Sequence, residues 1–397
     1  SHFFIVAQPI NLEMGVNFFS QHGMGGEYKS YQIIHELNNS IQSQPNLDYA
    51  LGRDINTSQV TGFISIDKSN DFEGLGHKIG DNLGTNLFGS FSNGKIANLE
   101  VRVEGDARAI LANSITNARI VNVHLKGQIS SIDRWERLST PVYSNYMGAV
   151  AGTSTNSKLF FCHANASIDG RSYLGGFLGS ATDSEIHHSY IFGSVTGWLT
   201  GYMYTSFGTV EHTLFKPSKV GGFIGSAVSS SVINSYTSFA VFDGESSSDE
   251  YEVISDNEWY QSALYGNDYD YLDTIRALLG YQDADTNITN SFGNKNVNGF
   301  TPIGDQAKTE TELKTKSTYT DAGWDFDKIW HIADGEYPIF KWNVPLNQPP
   351  ADLNSTAELT IAENQPIGTI VGEFNATDPE GGAITYSLVS GEGDGNN

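Results

Sequence analysis

Two stretches of this chain are near copies of one another: GGFLGSATDSEIHHSYIFGSVTG from Gly175 and GGFIGSAVSSSVINSYTSFAVFDG from Gly221. A chain that repeats itself at such an interval can satisfy only a few folds, because each repeat has to bury its apolar face against its neighbours. Three earlier segments follow the same outline: LFGSFSNGKIANLEVRVEG from Leu87, ILANSITNARIVNVHLKGQI from Ile110 and AVAGTSTNSKLFFCHANASIDG from Ala149. The shared form is an apolar pair and a small residue before Ser, then a polar turn, a short apolar strand, and a second strand ending in Gly. Aligned this way, Ser90 and Asn113 are equivalent and 23 residues apart, and Thr153 and Ser180 are equivalent and 27 apart. The wider gaps hold inserted segments over 131–147 and 198–220, which belong on the side of a coil, where such insertions often bind.

One short strand buries only one face, so a single repeat is unstable alone. Parallel stacking about 4.8 Å apart lets each rung cover the next. Gly and Asn at fixed offsets permit positive-φ corners between the strands. The register then predicts ladders of Phe177 with Phe223, Leu178 with Ile224, and Ile186 with Val232. The competing arrangement is a sandwich of antiparallel hairpins, which does not require GGFLGS and GGFIGS to recur. The fold class expected is therefore all-β, a right-handed parallel β-helix (β-solenoid).

Composition agrees. The chain of 397 residues has 42 Gly, 19 Tyr and 22 Phe but only 22 Lys and Arg, a strand-forming rather than helix-forming usage. The net charge of −24 leaves no basic footprint, so nucleic acid and anionic membranes are not expected as partners. It leaves two readings open, a solvated acidic surface or a supply of carboxylates for Ca²⁺. Cys162 is the single cysteine, so neither a disulfide framework nor a Cys-based metal site is expected. No apolar run reaches the roughly 18 residues of a membrane span, so direct membrane insertion is not expected. The chain starts at Ser1 without Met or a visible leader, which points to a processed product or a fragment.

GGFLGS and GGFIGS, followed by EIHHSY and SVINSY, resemble the GLUG repeats of bacterial secreted and surface proteins. DYALGRDINTS (48–58), GFISI (62–66) and FEGLGHKI (72–79) are similar to the opening rungs of such proteins, except that Ser65 stands where Pro is usual. TELKTKSTYTDAGWDFDKIWHIADGEYPIFKW (311–342) resembles their closing element, with Trp324, Phe326, Trp330, Tyr337 and Pro338 at its recognisable positions. The resemblance implies an N-terminal cap over 1–47, its segment 28–43 a short helix or capping coil. It implies a β-helix over 48–344, with a closing cap at 299–342 that covers the open edge of the last rung.

From residue 345 to 397 the composition changes. Pro345, Pro349 and Pro350 mark a linker, and alternation in ELTIAEN and GTIVGEF predicts two strands. The pattern AEN, DPEGG, ITYSL is similar to the start of a bacterial cadherin-like repeat, a partial β-sandwich. That likeness implies Ca²⁺ ligation by Glu363, Asp378 and Glu380. Separately, DADTN places Asp283 and Asp285 in the spacing that opens a Ca²⁺ loop, although Ile288 and Asn294 stand where Gly and Glu are needed. The acidic stretch 243–259 reads as a solvated loop or a further Ca²⁺ site.

The rungs show no paired carboxylates that stack into a glycosidase site, so no catalytic residues are assigned and no enzyme is expected. The densest polar group is Glu185, His187 and His188, with Glu211 and His212 in the following insertion. As strand neighbours, His187 and His188 are expected on opposite faces. Trp198, Tyr202 and Tyr204, with His187 and Glu211, form a candidate sugar-binding group, joined by Trp135, Tyr143 and Tyr146 of the earlier insertion. The leading expectation is an extracellular adhesin, or a structural segment of a long bacterial surface or matrix protein, secreted or held at the cell surface. Its partners would be cell-surface or matrix glycans or proteins, or copies of itself. The alternatives are a polysaccharide-active lyase or glycosidase and a self-assembling fibre subunit.

Overall fold

The structure, a computed structural model, describes residues 4–21, 28–38, 41, 43–44, 46–61, 66–130, 146–170, 173–198, 200–206, 209–215, 219–238, 240–244, 275–276, 278–295, 306–344, 350–355, 362–370, 373–377 and 383–386. It forms two compact units, Ser1–Lys341 and Trp342–Asn397.

The first unit is all-β apart from short helical turns, and its strands pair mostly in parallel. From Tyr146 the chain visits three sheets in a fixed order. Tyr146–Met147, Tyr173–Gly175, Lys219–Gly221 and Ile275–Arg276 form one of them, each strand parallel to the next. Ala151–Thr155, Leu178–Thr182, Ile224–Val228 and Leu279–Gln282 continue a second, begun by Ile66–Ser69, Phe88–Ser92 and Ala112–Thr116. Lys158–Phe160 with His163–Gly170, Glu185–His187 with Tyr190–Trp198, and Ser231–Ile233 with Tyr236–Thr237 extend a third and largest sheet. That sheet contains the long strands Lys95–Asp106 and Arg119–Ser130.

The predicted ladders are present. Leu178 pairs with Ile224 and Ile186 with Val232, and the Phe177 and Phe223 rings stack 4.7 Å apart at 5°. One register differs by a residue, because Ser90 lies opposite Ser114 rather than Asn113. Burial decides it. Phe91 and Ile115 are both fully buried, and a slip of one residue would turn one of them outward. The glycine of GGFIGS also has a steric cause. A Cβ at Gly225 would stand 2.6 Å from the Gly179 carbonyl and 2.8 Å from that of Leu174, where one sheet presses on another.

Two corners per repeat take left-handed backbone. Asn93, Asn117, Asn156, Asp183 and Ser229 occupy the first, and Asn98, Asn122, Phe161, His188, Asn234 and Asn290 the second. In the later repeats each is followed by a small buried residue that closes the stack. The Ser184 hydroxyl accepts from the Ser157 amide and the Ser230 hydroxyl from the Ser184 amide. Five residues on, the Cys162, Ser189 and Ser235 amides donate in turn to the hydroxyls of Ser189, Ser235 and Ser291. Cys162 holds a serine's place in this column.

One expectation changes. Segment 28–43 is not a helix or coil at its start: Tyr28–Ile34 is a strand, antiparallel to Phe18–Gln21 and parallel to Tyr49–Leu51. Its Tyr31, Ile33 and Ile34 are buried, which rewards the β-forming residues of YKSYQII. The closing element contains helices Glu310–Leu313 and Lys316–Thr320 and the antiparallel pair Trp330–His331 and Ile339–Phe340. Its aromatics run along the outside of the large sheet across several repeats, besides any cover they give the end. Phe340 packs on His163 and Tyr190 at 5.6 and 5.0 Å, Tyr319 packs on Tyr236 at 5.8 Å, and the Trp324 indole donates to the Asn290 carbonyl. The stacked column of outward rings draws them there.

In the second unit Ala351–Ser355 pairs antiparallel with Phe374–Thr377. These are not the segments whose alternation predicted strands. Phe374 of GTIVGEF begins the second strand, and residues 356–361 and 371–372 lie outside the described residues. Among the described residues, no helix is long and apolar enough to cross a membrane.

Candidate functional site

The outer face of the large sheet is built from columns, because parallel pairing places equivalent residues of successive repeats side by side. One column runs Lys95, Arg119, Lys158, Glu185. Two residues on, the next runs Ala97, Val121, Phe160, His187, Ile233. Beyond the second corner lies Glu100, His124, His163, Tyr190, Tyr236. In this last column the His124 and His163 rings stack at 4.0 Å, His163 and Tyr190 at 4.9 Å, and Tyr190 and Tyr236 at 5.5 Å. The closing element packs on its upper part.

His187 and His188 do not point to opposite faces. The left-handed backbone at His188 turns its ring to the same side, and the two rings lie 6.4 Å apart at 23°. His187 stacks on Phe160 at 4.9 Å and His188 on Phe161 at 5.3 Å. Asn234 Nδ2 lies 3.2 Å from His188 Nε2. Burial, reinforced by His187 and opposed by Asp325, pushes the His188 imidazole down to about 4.

The exposed part of the face combines charge with aromatic surface. Lys158 Nζ lies 2.7 Å from Glu185 Oε1, and His187 Nε2 lies 3.4 Å from Glu185 Oε2. The bond from Lys158, aided by His187, holds the Glu185 carboxyl below its ordinary value. Burial lowers the His187 imidazole against the pull of Glu185. The Arg119 guanidinium sits 5.4 Å from the Phe160 ring on the neighbouring rung. At neutral pH this is an ionised carboxylate, two cations and a stacked Phe–His pair. Such a shelf can stack a ring and hydrogen-bond its substituents. Cys162 is buried, and burial pushes its thiol up to about 12, so it is no nucleophile.

Of the residues singled out in the sequence, His187 belongs to this shelf. Trp198 ends the strand Tyr190–Trp198, and Tyr202, Tyr204 and Glu211 lie on a hairpin, Thr200–Ser206 with Thr209–Phe215, in which Tyr204 pairs with Glu211 and Met203 with His212. Asp283 serves a turn: its carboxylate accepts from the Ser229 amide at 3.1 Å and the Thr286 hydroxyl at 2.6 Å. Asp285 and Glu363 are exposed turn residues. Asp378 and Glu380 lie outside the described residues, as do 131–145, 245–274 and 299–304. Among the described residues, no group of three or more His, Cys, Asp or Glu is gathered as a metal would need. Sequence reading passed over Arg119, Lys158 and Phe160, although NARIV and NSKLF carry them at matching offsets.

No family model matches the chain. Over 52 residues it is 40% identical to a protein of Evansella cellulosilytica described as a Gly-rich membrane protein, a match covering 13% of this chain and 6% of that protein. Among solved structures, an IgA1 protease aligns with 68% of this chain and 20% of its own, at a TM-score of 0.32 and 14% identity. The chain thus spans a small part of both proteins, and the likenesses carry no activity across.

Proposed function

We propose that the first unit is a right-handed parallel β-helix of the GLUG-repeat kind. It serves as a rigid spacer and display surface in a bacterial adhesin or a structural segment of a surface or matrix protein. The observation that supports this reading is the recurrence of parallel strands in three sheets, each turn from Tyr146 onward extending all of them while the inward residues of the repeats join one continuous apolar core. A stack of that kind has no moving parts and offers its outer face for contact. The protein is secreted or held at the cell surface, is not an enzyme, and its tail begins a cadherin-like module that takes Ca²⁺ through Glu363, Asp378 and Glu380.

The test is to label intact cells with an antibody against the chain and to probe the secreted protein on glycan and cell-binding arrays. Surface labelling with binding is expected, and a cytoplasmic protein that binds nothing would overturn the reading. Release of reducing ends or unsaturated uronates, lost in His187→Ala, would replace it with the enzyme. Calorimetric titration with Ca²⁺ tests the tail, and a flat trace would remove the metal.

A further inference from the structure

Three successive repeats carry one motif: NGKIA from Asn93, NARIV from Asn117 and NSKLF from Asn156. Each begins with an Asn in left-handed backbone, places a cation two residues on and ends on an apolar side chain. Parallel pairing sets the three copies in register, Lys95 beside Arg119 beside Lys158, and Ala97 beside Val121 beside Phe160. The amides form a row of their own. Asn117 Nδ2 donates to Asn93 Oδ1 at 3.1 Å, and Asn156 Nδ2 donates to Asn117 Oδ1 at 2.6 Å. With strands about 4.8 Å apart, a row of cations and a row of amides run side by side along the stacking direction.

A cationic row is unexpected here, because the chain has 46 acids against 22 Lys and Arg. Its acids sit at its two ends. Glu73, its side chain only 4% exposed, lies 3.2 Å from Lys95, and Glu185, 42% exposed, lies 2.7 Å from Lys158, with Arg119 between them. The next repeat reads DSEIH, so Asp183 and Glu185 end both rows. The field is local and bounded, and local fields of this kind select partners of opposite charge.

We propose that this three-repeat face binds a linear anionic polysaccharide lying along the stacking direction. Carboxylates or sulfates would meet Lys95, Arg119 and Lys158, and hydroxyls would meet the asparagine row. The proposal supplies a partner for the adhesive reading above and rests on it for context.

The test is calorimetry of the whole chain with polygalacturonate, dextran sulfate and uncharged dextran at two salt concentrations. Binding to one or both anionic polymers, weakening with salt, and none to dextran is the expected result. Preference between the two tells carboxylate from sulfate. Arg119→Gln with Lys158→Gln should weaken binding at least roughly tenfold with the melting temperature unchanged. Asp183→Asn with Glu185→Gln should tighten it, which a fold defect could not do. Equal binding to dextran, no binding to either anionic polymer, or unaltered affinity in both variants would overturn the proposal. Surface labelling of cells does not depend on this outcome, so the two readings fail separately.

Discussion

The repeats and the tail draw on similar residues and treat them differently. In the repeats the exposed Tyr281 reaches 39%. In the tail Ile367, Ile370 and Leu353 are 108%, 84% and 67% exposed. The repeats bury Phe177, Phe223, Leu178 and Ile224 completely because each rung finds another above and below it. Among the described residues the tail's sheet has two strands, and a lone strand pair is marginal in water. Burial here is a property of stacking more than of composition.

Substitution should expose this contrast most strongly. Phe177→Ala removes a ring stacked inside the core and should cost about 4 kcal/mol, whereas Phe374→Ala in the tail should change stability by less than about 0.5 kcal/mol. Urea unfolding of the two variants checks it, and similar losses would dissolve the distinction.

Through histidine, acid should act on the repeats, since residues 342–397 contain none. The His188 imidazole is held at about 4 when folded, against about 6.5 when unfolded. The unfolded chain therefore takes up the proton first. This contribution is present above pH 6.5 and is lost as the pH falls toward 4. His163, fully buried and also lowered by burial, acts in the same direction. Melting temperatures between pH 7 and 4 should show His188→Asn less acid-sensitive than the parent, by on the order of 2 kcal/mol. Parallel curves would remove His188 from the account.

The smallest effect concerns the serine column. Ser235→Ala leaves the Ser189 amide without its acceptor and should cost about 1 kcal/mol. Ser235→Cys should cost less, because Cys162 already fills that place in its own repeat. Thermal melting compares the two, and equal losses would mean that the column contributes packing alone.

The inward ladders were legible in the sequence because a period-matched apolar residue has one place to go. Leu178 with Ile224 and Ile186 with Val232 needed only the alignment. The corners were less legible. A run such as EIHHSY looks like continuous strand, and only left-handed backbone at His188 reveals that His187 and His188 share a side. The paired small residues five apart, Ser184 with Ser189 and Ser230 with Ser235, were a visible signal that composition-minded reading passed over. The lateral packing of Phe340 and Trp324 was not legible, since it joins residues far apart in sequence through a ring column that exists only after stacking. The candidate shelf was half visible: His187 stood out for its polar neighbours, whereas Arg119 and Phe160 meet only across rungs.

Register is where the stacked arrangement is most exposed to test. In the structure Ser90 lies opposite Ser114, whereas the best sequence alignment puts it opposite Asn113. Neighbouring strands hold paired Cα atoms within disulfide reach, and the native Cys162 is buried and unreactive. Mild oxidation of the Ser90→Cys, Ser114→Cys chain should give an intramolecular disulfide, seen as faster migration on a non-reducing gel that reverses with reductant. The Ser90→Cys, Asn113→Cys chain should stay reduced. Crosslinking of the second pair in preference to the first, or of neither, would contradict the stacked repeats on which the account stands.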